Sequence, residues 1–452
     1  MTDEVVPGAS LGVWTCVALV VGNVVGSGFF LAPAALAPYG AVAIIGWLVM
    51  SIGAMCLGLV FARLGRIAPE TGGPYAYTRK GFGDFAGFLV VWGYWISIWA
   101  SLPAIAIAVA DYMEVFIPSL AGNQAGKLAI ALGSMIGVAL LNMRGVKEAG
   151  RFQLIVVGIK LVPFLAVAFI GLFWVDWSHF TPVNPTPMPF FLALAATAPF
   201  TMFAFSGVES ATVPAGDIKN PRRTIAIATI AGTLTAAMIY TFGTLSVMGV
   251  MGRPALAQSS APFSDAASIM WGSWAGYVIA AAAVLSSIAA LNGWTLVMSQ
   301  VPLAAARHGL LPSAFAELNR KGVPAKGIII SLSLATAILI LQSTGAKALI
   351  EVYDFVVRLS TVTDMVPYVF CCFVEGIILL TVGKRLGYLN PMTYLPIAIV
   401  AFLFSMVTIY GAGAEAAMWG FLLLLTGLPV FVAIRIKKSR STKDRNLDDS
   451  LN

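Results

Sequence analysis

Four charged side chains lie in segments of the chain that are otherwise almost wholly apolar: Lys160, Glu209, Arg358 and Asp364. An ionisable group in hydrocarbon is costly, so each of these residues is a candidate for binding or for proton transfer. A carboxylate can attract a cationic group, and a desolvated amine or carboxyl group can exchange a proton. Asp354 and Arg358 are four residues apart, so these two can also pair on one helix face.

Two glycine-containing motifs interrupt apolar segments, at residues 22–28 (GNVVGSG) and residues 203–210 (FAFSGVES). Glycine weakens a helix, and an unwound turn inside a membrane frees backbone N–H and C=O groups for a ligand. Close helix packing is the alternative role for such glycines. The motifs lie at corresponding places in the two halves of the chain, and the second contains a carboxylate. We therefore favour unwound segments.

The remaining reactive side chains do not form an enzymatic pattern. The cysteines, at positions 16, 56, 371 and 372, lie in apolar segments and lack the spacing of metal ligands. The two histidines, His179 and His308, are too few for a metal or catalytic cluster. We predict no enzyme activity, no metal and no cofactor.

The composition indicates a membrane protein. Of the 452 residues, 59% are hydrophobic and 10% are charged, whereas soluble domains carry about 25% charged residues. Residues 5–62 and 266–306 are among several long stretches without Asp, Glu, Lys or Arg, and one membrane crossing needs about 20 apolar residues. Spanning segments must be helices or closed barrels. Because the alternating pattern of barrel strands is absent, we predict an all-α membrane protein.

Breaks at charges and at proline and glycine clusters divide the chain into about twelve predicted transmembrane helices. They lie near residues 11–37, 41–64, 84–117, 127–144, 152–174, 189–217, 223–251, 266–303, 325–343, 349–380, 391–411 and 414–434. We predict one transmembrane domain over residues 1–434, followed by a basic tail over residues 435–452.

Positive charge predicts the orientation. If the N-terminus is cytoplasmic, most of the 27 Lys and Arg residues fall on the cytoplasmic side, and Lys127, Arg253 and Lys347 fall on the opposite side. Lys and Arg concentrate in the cytoplasmic loops of membrane proteins, so we predict that both termini are cytoplasmic. This distribution explains the net charge of +7 without a nucleic-acid partner.

Several motifs resemble those of a transporter family. They are residues 22–28, 72–77 (GGPYAY), 207–211 (GVESA) with 219–223 (KNPRR), and 293–295 (GWT). Over nearly its whole length the chain is similar to the amino acid/polyamine/organocation (APC) superfamily, and specifically to the basic amino acid and polyamine antiporters typified by the arginine/agmatine antiporter. The resemblance implies a LeuT-like fold of two inverted five-helix repeats, over about 11–174 and 189–380, with helices one and six broken and two final helices over about 391–434.

The resemblance also implies a substrate site between helices one, three, six, eight and ten. Its predicted residues are Val24, Ser27, Gly28, Ser97, Ile98, Leu102, Ile105, Phe203, Ser206, Gly207, Trp294 and Ser360. The backbone near Ser27 and Gly28 is expected to receive a substrate carboxylate, and carbonyls near Val24, Phe203 and Ser206 to accept from an ammonium group. Trp294 is expected to stack on a cationic substrate.

Three residues are expected to act in gating or proton coupling. Tyr94 matches a family gate residue near Trp294, and Glu209 matches a carboxylate linked to proton sensing, with a helix-packing role as the alternative. Lys160 matches a lysine that takes the position of sodium in sodium-independent relatives. Its alternative is to extend to the membrane interface.

Several positions depart from the arginine/agmatine antiporter. Phe203 replaces a tryptophan, Ile105 replaces a methionine, and Leu102 replaces an asparagine that reaches for the guanidinium group. Losing that asparagine weakens the case for arginine as substrate. Asp364 is an additional acid that either suits a cationic substrate or pairs with Arg358 or Lys160. Asp111 and Glu375 have no assigned role.

Two functional hypotheses follow. The first is exchange of cationic amino acids and their amines, of the arginine, lysine, ornithine, agmatine and putrescine class, by alternating access. The second is proton-coupled transport of neutral amino acids, with Lys160 as the coupling group. The predicted partners are a small-molecule substrate and the lipid bilayer of a bacterial inner membrane. Protons as coupled ions and a homodimer are compatible with both hypotheses.

Overall fold

A computed structural model describes residues 11–68, 72–145, 156, 160–213, 215, 218–343, 349–381 and 390–438. Predicted features at other positions lie outside the described residues. They include Lys347 and the basic tail from residue 439 onward. For Ser27 the backbone is described and the side chain is not.

The described residues are almost entirely helical, and their one extended pairing is an isolated bridge between Leu11 and Ile218. The helices are α1 (Val13–Val24), α2 (Ser27–Phe30), α3 (Ala32–Leu36), α4 (Ala41–Ile67), α5 (Pro74–Met113), α6 (Gln124–Asn142), α7 (Lys160–Trp174), α8 (Phe190–Phe205), α9 (Pro221–Met251), α10 (Arg253–Ala257), α11 (Pro262–Trp271), α12 (Ser273–Arg307), α13 (Ala325–Ser343), α14 (Leu349–Thr381), α15 (Pro391–Gly411) and α16 (Ala414–Leu425). Short 3₁₀ turns join several of them, including Ser210–Thr212 after α8.

Within the described residues, nine helical segments are long and apolar enough to cross a membrane. They are Ala41–Ile67, Pro74–Met113, Gln124–Asn142, Phe190–Thr212, Pro221–Met251, Ser273–Arg307, Glu351–Thr381, Pro391–Gly411 and Ala414–Lys438. Three apolar helices are shorter: Val13–Val24, Lys160–Trp174 and Ala325–Leu341. The protein is therefore an all-α, multi-pass membrane protein, as predicted.

Burial distinguishes the central helix from the peripheral ones. In the most apolar 18-residue stretch of α5, 89% of the residues are buried. In the corresponding stretch of the segment Ala414–Lys438, 11% are buried. The α5 helix packs most extensively on α14 and α12, and α4 packs on α9. Side chains of α5 therefore face the interior of the bundle, and the last helix is left to face lipid.

The predicted start of the third helix, 84–117, lies at a kink. The helical segment Pro74–Met113 has non-helical backbone at Gly83, with φ of 83° and ψ of −176°, so α5 is a short helix that begins at Pro74 followed by a long helix after Gly83. Proline is favoured in a first helical turn, and the sequence prediction left out this short first helix. One further predicted boundary is wrong. The eighth predicted helix, 266–303, is divided at Gly272 into α11 and α12.

Candidate substrate-binding site

Both glycine-containing motifs are unwound. The α1 helix ends at Val24, and Val25 and Gly26 are non-helical before α2 begins; this is the first break. The α8 helix ends at Phe205, and the second break, Ser206 and Gly207, follows it. Gly207 has φ of 107°, a conformation that residues with a Cβ atom rarely adopt. Glycine therefore permits the turn that frees the backbone here.

The segments that flank the two breaks are in direct contact. A Cβ atom on Gly28 would lie 3.0 Å from the Ala204 Cα atom, so only glycine lets the two segments approach this closely. Asn23 Nδ2 donates to Ser210 Oγ at 2.9 Å. The Tyr240 hydroxyl lies 2.5 Å from the Val24 carbonyl and 3.0 Å from the Ala204 carbonyl. Packing and polar contacts thus hold the two breaks together.

A cavity of about 20 Å³ lies between the breaks and helices α5, α12 and α14. Its lining includes nine predicted site residues: Val24, Gly28, Ser97, Ile98, Ile105, Phe203, Ser206, Trp294 and Ser360. A water molecule needs about 10–15 Å³ measured in this way. An amino acid or a diamine therefore fits only if the surrounding helices move apart.

Three predicted site residues do not line the cavity with their side chains. Leu102 is buried in α5 but is absent from the lining. Gly207 lies behind Trp294, where a Cβ atom would be 3.2 Å from the Trp294 Cζ2 atom. The side chain of Ser27 lies outside the described atoms.

Five lining residues are outside the predicted list of substrate-binding residues: Asn23, Gly26, Ser101, Ala290 and Asp364. Of these, Asp364 was named from the sequence as an additional acid that could suit a cationic substrate, without being assigned to the site. Helical spacing was the available signal for two of the five. Ser101 follows Ser97 by four residues and Asp364 follows Ser360 by four, so each pair shares a helix face.

Asp364 is a buried acid that contacts two hydroxyl groups. It is 3% exposed and accepts a hydrogen bond from Ser206 Oγ at 2.7 Å. Ser97 Oγ lies 3.3 Å from the other carboxylate oxygen and also donates to the Tyr94 carbonyl at 2.8 Å. No basic side chain in the described part of the chain forms an ion pair with it. The alternative interpretation, that Asp364 forms an ion pair with Arg358 or Lys160, is therefore wrong.

Arg358 has other partners, as its spacing from Asp354 predicts. Its Nε atom lies 3.0 Å from Asp354 Oδ2, and its guanidinium carbon lies 4.8 Å from the centre of the Phe200 ring. The positive charge of Arg358 is thus paired with Asp354, on the face of α14 that carries both residues.

Glu209 is completely buried between two tyrosines. Its carboxylate oxygens accept hydrogen bonds from the hydroxyl groups of Tyr94 and Tyr368. Tyr94, predicted as a gate residue, is absent from the cavity lining and contacts Glu209 instead. The carboxyl group that follows the second break is thus held by α5 and α14.

Two hydrogen-bonded connections therefore join the same three elements, and we call them the two rungs. In one rung, Tyr94 of α5 and Tyr368 of α14 meet Glu209. In the other, Ser97 of α5 and Ser206 of the second break meet Asp364 of α14. Spacings of three residues on α5 and four on α14 place the rungs one helical turn apart. The second break is thereby linked to both helices at two levels.

Lys160 is 0% exposed and does not extend to an interface. Its ammonium group donates to the Gly22 carbonyl at 3.2 Å and to the Val25 carbonyl at 2.5 Å. Ser286 Oγ also donates to the Val25 carbonyl, at 2.8 Å. The last carbonyls of a helix lack intrahelical partners and carry partial negative charge. Lys160 therefore caps the end of α1 at the first break.

Some backbone groups predicted to bind an ammonium ion already have donors. The Val24 carbonyl accepts from the Gly26 N–H at 2.8 Å and contacts Tyr240. The Phe203 carbonyl accepts from the Ser206 N–H at 3.3 Å. Because these carbonyls already accept hydrogen bonds from the protein, Asp364 is an additional acceptor for an ammonium group in the cavity.

The two unassigned acids form ion pairs away from the cavity. Asp111 lies 2.8 Å from the ammonium group of Lys127, which is also 2.6 Å from Glu114. Glu375 forms a bidentate ion pair with Arg63, in which Arg63 Nη2 and Glu375 Oε2 are 2.9 Å apart. Asp111 and Glu375 thus each have a basic partner, although Lys127 is shared with Glu114.

The described residues contain neither a cluster of metal ligands nor a disulfide bond. Within them, no group of three or more His, Cys, Asp or Glu side chains is arranged to hold a metal ion. Each of the four cysteines is a free thiol. The chemistry of the cavity is consequently that of hydroxyl groups, a carboxylate, an indole ring and backbone polar groups.

Comparison with known proteins identifies the family. A family model described as amino acid permease matches residues 11–433. The chain is 32% identical over 371 residues to the cadaverine/lysine antiporter of Escherichia coli (strain K12), covering 80% of this chain and 82% of that protein. It is 29% identical over 435 residues to the putrescine transporter PotE of Haemophilus influenzae, covering 94% of this chain and 97% of that protein. For the PotE protein of Escherichia coli (strain K12), the identity is 29% over 426 residues, with 93% and 95% covered.

These relatives are transporters rather than enzymes, and the family model covers most of the chain. The chain therefore belongs to the amino acid permease family of the APC superfamily, and the predicted resemblance to the basic amino acid and polyamine antiporters is confirmed.

Proposed function

We propose that the protein is a secondary active transporter that exchanges cationic amino acids and their amines across a bacterial inner membrane by alternating access. The observation that carries this proposal is the shared cavity. Both helix breaks, Trp294 and the carboxylate of Asp364 line it. The names of the relatives, a cadaverine/lysine antiporter and putrescine transporters, support the same substrate class.

The chemistry of the lining favours a cation. An indole face attracts a cationic group by about 0.5–2 kcal/mol, and a buried carboxylate is costly without a positive partner. Among the described lining residues there is an acid and no base. A neutral amino acid offers this cavity no net positive charge, whereas lysine, ornithine, arginine, agmatine and putrescine each do.

The proposal assigns roles to the predicted residues. The proposed substrate-binding residues are the nine predicted ones that line the cavity: Val24, Gly28, Ser97, Ile98, Ile105, Phe203, Ser206, Trp294 and Ser360. Ser27 and Gly207 are proposed to contribute through the backbone next to the two breaks. Leu102 is not included, because it does not line the cavity. Tyr94 and Glu209 act in gating, because the rung that they form ties the second break to α5 and α14. Lys160 is the coupling group at the first break.

The proposed topology has twelve transmembrane helices, two inverted repeats and cytoplasmic termini, and a homodimer is its proposed assembly. The nine long and three shorter apolar helices of the described residues support the helix number. A reporter enzyme that is active only outside the cytoplasm, fused after Arg435, should be inactive. Activity of that fusion contradicts the orientation. A dimer-sized species after cross-linking in the membrane would support the assembly.

Exchange is tested with purified protein in liposomes. Vesicles are preloaded with unlabelled lysine, cadaverine, ornithine, putrescine, arginine or agmatine, and uptake of labelled lysine is measured. At least one internal cation should accelerate uptake, because each inward step then has an outward partner. If no internal cation accelerates it, and a pH gradient instead drives uptake of neutral amino acids, the proposal is wrong.

A second candidate is proton-coupled transport of neutral amino acids. It is favoured by the buried position of the Lys160 amine on the carbonyls of the first break, since loss of a proton there would weaken its contacts with α1. Uptake that is driven by a pH gradient in the native protein, and that becomes independent of it in Lys160→Met, supports this candidate.

A further inference from the structure

We infer that Asp364 determines substrate selectivity by pairing directly with a primary ammonium group of the substrate, so that amines and cationic amino acids bind in preference to neutral amino acids. This inference rests on the proposed function, because it assigns the selectivity of the same cavity. It gives a specific role to Asp364, which the sequence left open between suiting a cationic substrate and pairing with a basic residue.

The geometry leaves the carboxylate able to accept further hydrogen bonds. Ser206 donates to one oxygen of Asp364 at 2.7 Å. Ser97 Oγ lies 3.3 Å from the other oxygen and shares its proton with the nearer Tyr94 carbonyl, at 2.8 Å. An ionised carboxylate has about four acceptor sites on its two oxygens. The two hydroxyl groups thus orient Asp364 and leave acceptor sites for a donor that enters the cavity.

The nearby positive charges are engaged elsewhere. Lys160 donates to backbone carbonyls of the first break, and Arg358 pairs with Asp354. Among the described residues, the cavity therefore supplies no counter-charge for Asp364. A substrate that carries its own ammonium group supplies one, and burying a charge is favourable only when it is paired.

The position of Asp364 also discriminates between substrates. In a neutral amino acid, the only ammonium group lies beside a carboxylate, and pairing that ammonium with Asp364 brings two negative groups close together. The side-chain ammonium of lysine lies several bonds from its carboxylate, and a diamine has no carboxylate. Like charges in one site are disfavoured, so the expected order of binding is diamine or lysine above any neutral amino acid.

The test compares Asp364→Asn with the native full-length protein. Binding of labelled cadaverine, putrescine, lysine and leucine is measured with purified protein at a fixed pH. Removing the charge should weaken binding of the three cations about 10- to 100-fold, the loss expected for a hydrogen bond to a charged group, and should leave leucine binding unchanged or tighter. Asp354→Asn is the matched control, because it removes a carboxylate from the same helix outside the cavity lining.

The outcomes separate the inference from the proposed function. If the native protein binds and exchanges cations and Asp364→Asn keeps the native preference for cations over leucine, the inference is wrong and the proposed function stands. If the native protein exchanges no cation, the proposed function fails, whatever the variant does. A loss of cation binding as large in Asp354→Asn as in Asp364→Asn also overturns the inference.

A second variant covers the case in which Asp364→Asn does not fold. Asp364→Glu keeps the charge and extends the carboxylate by one methylene group into a small cavity. Direct pairing predicts that the preferred diamine becomes shorter, so the ratio of putrescine to cadaverine affinity should rise. An unchanged ratio contradicts direct contact between residue 364 and the substrate.

Discussion

Replacing Tyr368 by phenylalanine tests the rung that contains Glu209. The hydroxyl of Tyr368 donates to one carboxylate oxygen of Glu209 and that of Tyr94 donates to the other. All three side chains are buried, so water cannot replace a lost donor. A hydrogen bond to a charged group contributes about 1.5–3 kcal/mol, and one to a neutral group about 0.5–1.5 kcal/mol. Tyr368→Phe should therefore lower the free energy of unfolding by about 1.5–3 kcal/mol.

The measurement is unfolding of the purified protein in mixed detergent micelles, combined with a double-mutant cycle. In a Glu209→Gln background the acceptor is neutral, so the cost of Tyr368→Phe should fall to about 1 kcal/mol. The coupling between the two changes then gives the part of the interaction that depends on the Glu209 charge. Tyr353→Phe is the matched control, because Tyr353 is also buried on α14 and is not hydrogen-bonded to Glu209.

Two results would refute this reasoning. A cost of Tyr368→Phe no larger than that of Tyr353→Phe would mean that the hydrogen bond to Glu209 does not stabilise the fold. A coupling energy below about 0.5 kcal/mol, the level at which independent sites add, would mean that the interaction of Tyr368 with residue 209 does not depend on the charge of Glu209. Exchange by Glu209→Gln with an unchanged pH profile would separately contradict the gating role of Glu209.

Three further predictions concern the cavity and the two breaks. Trp294→Ala should weaken binding of cationic substrates about 2- to 30-fold, the equivalent of a cation–π contact, and equal weakening for leucine in the same binding assay would contradict that contact. Gly207→Ala should destabilise the protein by about 1–3 kcal/mol, because alanine is strained at φ of 107°; Gly137→Ala, in open space on α6, should be neutral or stabilising. Lys160→Met should lower the unfolding temperature more than Ser286→Ala does. The Lys160 change removes the ammonium donor to the Gly22 carbonyl, whereas the Ser286 change leaves that donor in place. Equal effects of the two changes would show that the cap on α1 is unimportant.

Local features of the sequence predicted much of the fold. Long uncharged segments identified the helices, because lipid requires every backbone group to be paired within its own segment. The glycines at residues 22–28 and 203–210 identified both breaks, since glycine tolerates the backbone conformations and close contacts found there. The division at Gly272, which has φ of 91°, was missed, because a single glycine in an uncharged run does not by itself distinguish a helix end from close helix packing.

The candidate site was predicted less completely. Residues within the motifs, such as Gly28, Ser206 and Trp294, line the cavity, because the backbone of a motif determines where its own side chains lie. Leu102 does not line it, although an alignment by resemblance assigned it to the site. A helix turns by about 100° per residue, so an assignment that is correct for one helix face fails for a neighbouring position.

The sequence by itself determined that this chain is an all-helical membrane protein, because hydrophobicity and backbone pairing in lipid are properties of each segment alone. Only the tertiary structure decided which groups the buried charges meet. Asp364 contacts Ser97 and Ser206, and Glu209 contacts Tyr94 and Tyr368. These partners are distant in sequence, and they meet because α5, α14 and the second break pack with particular faces inward. That choice of faces depends on the whole bundle, so no local pattern contains it.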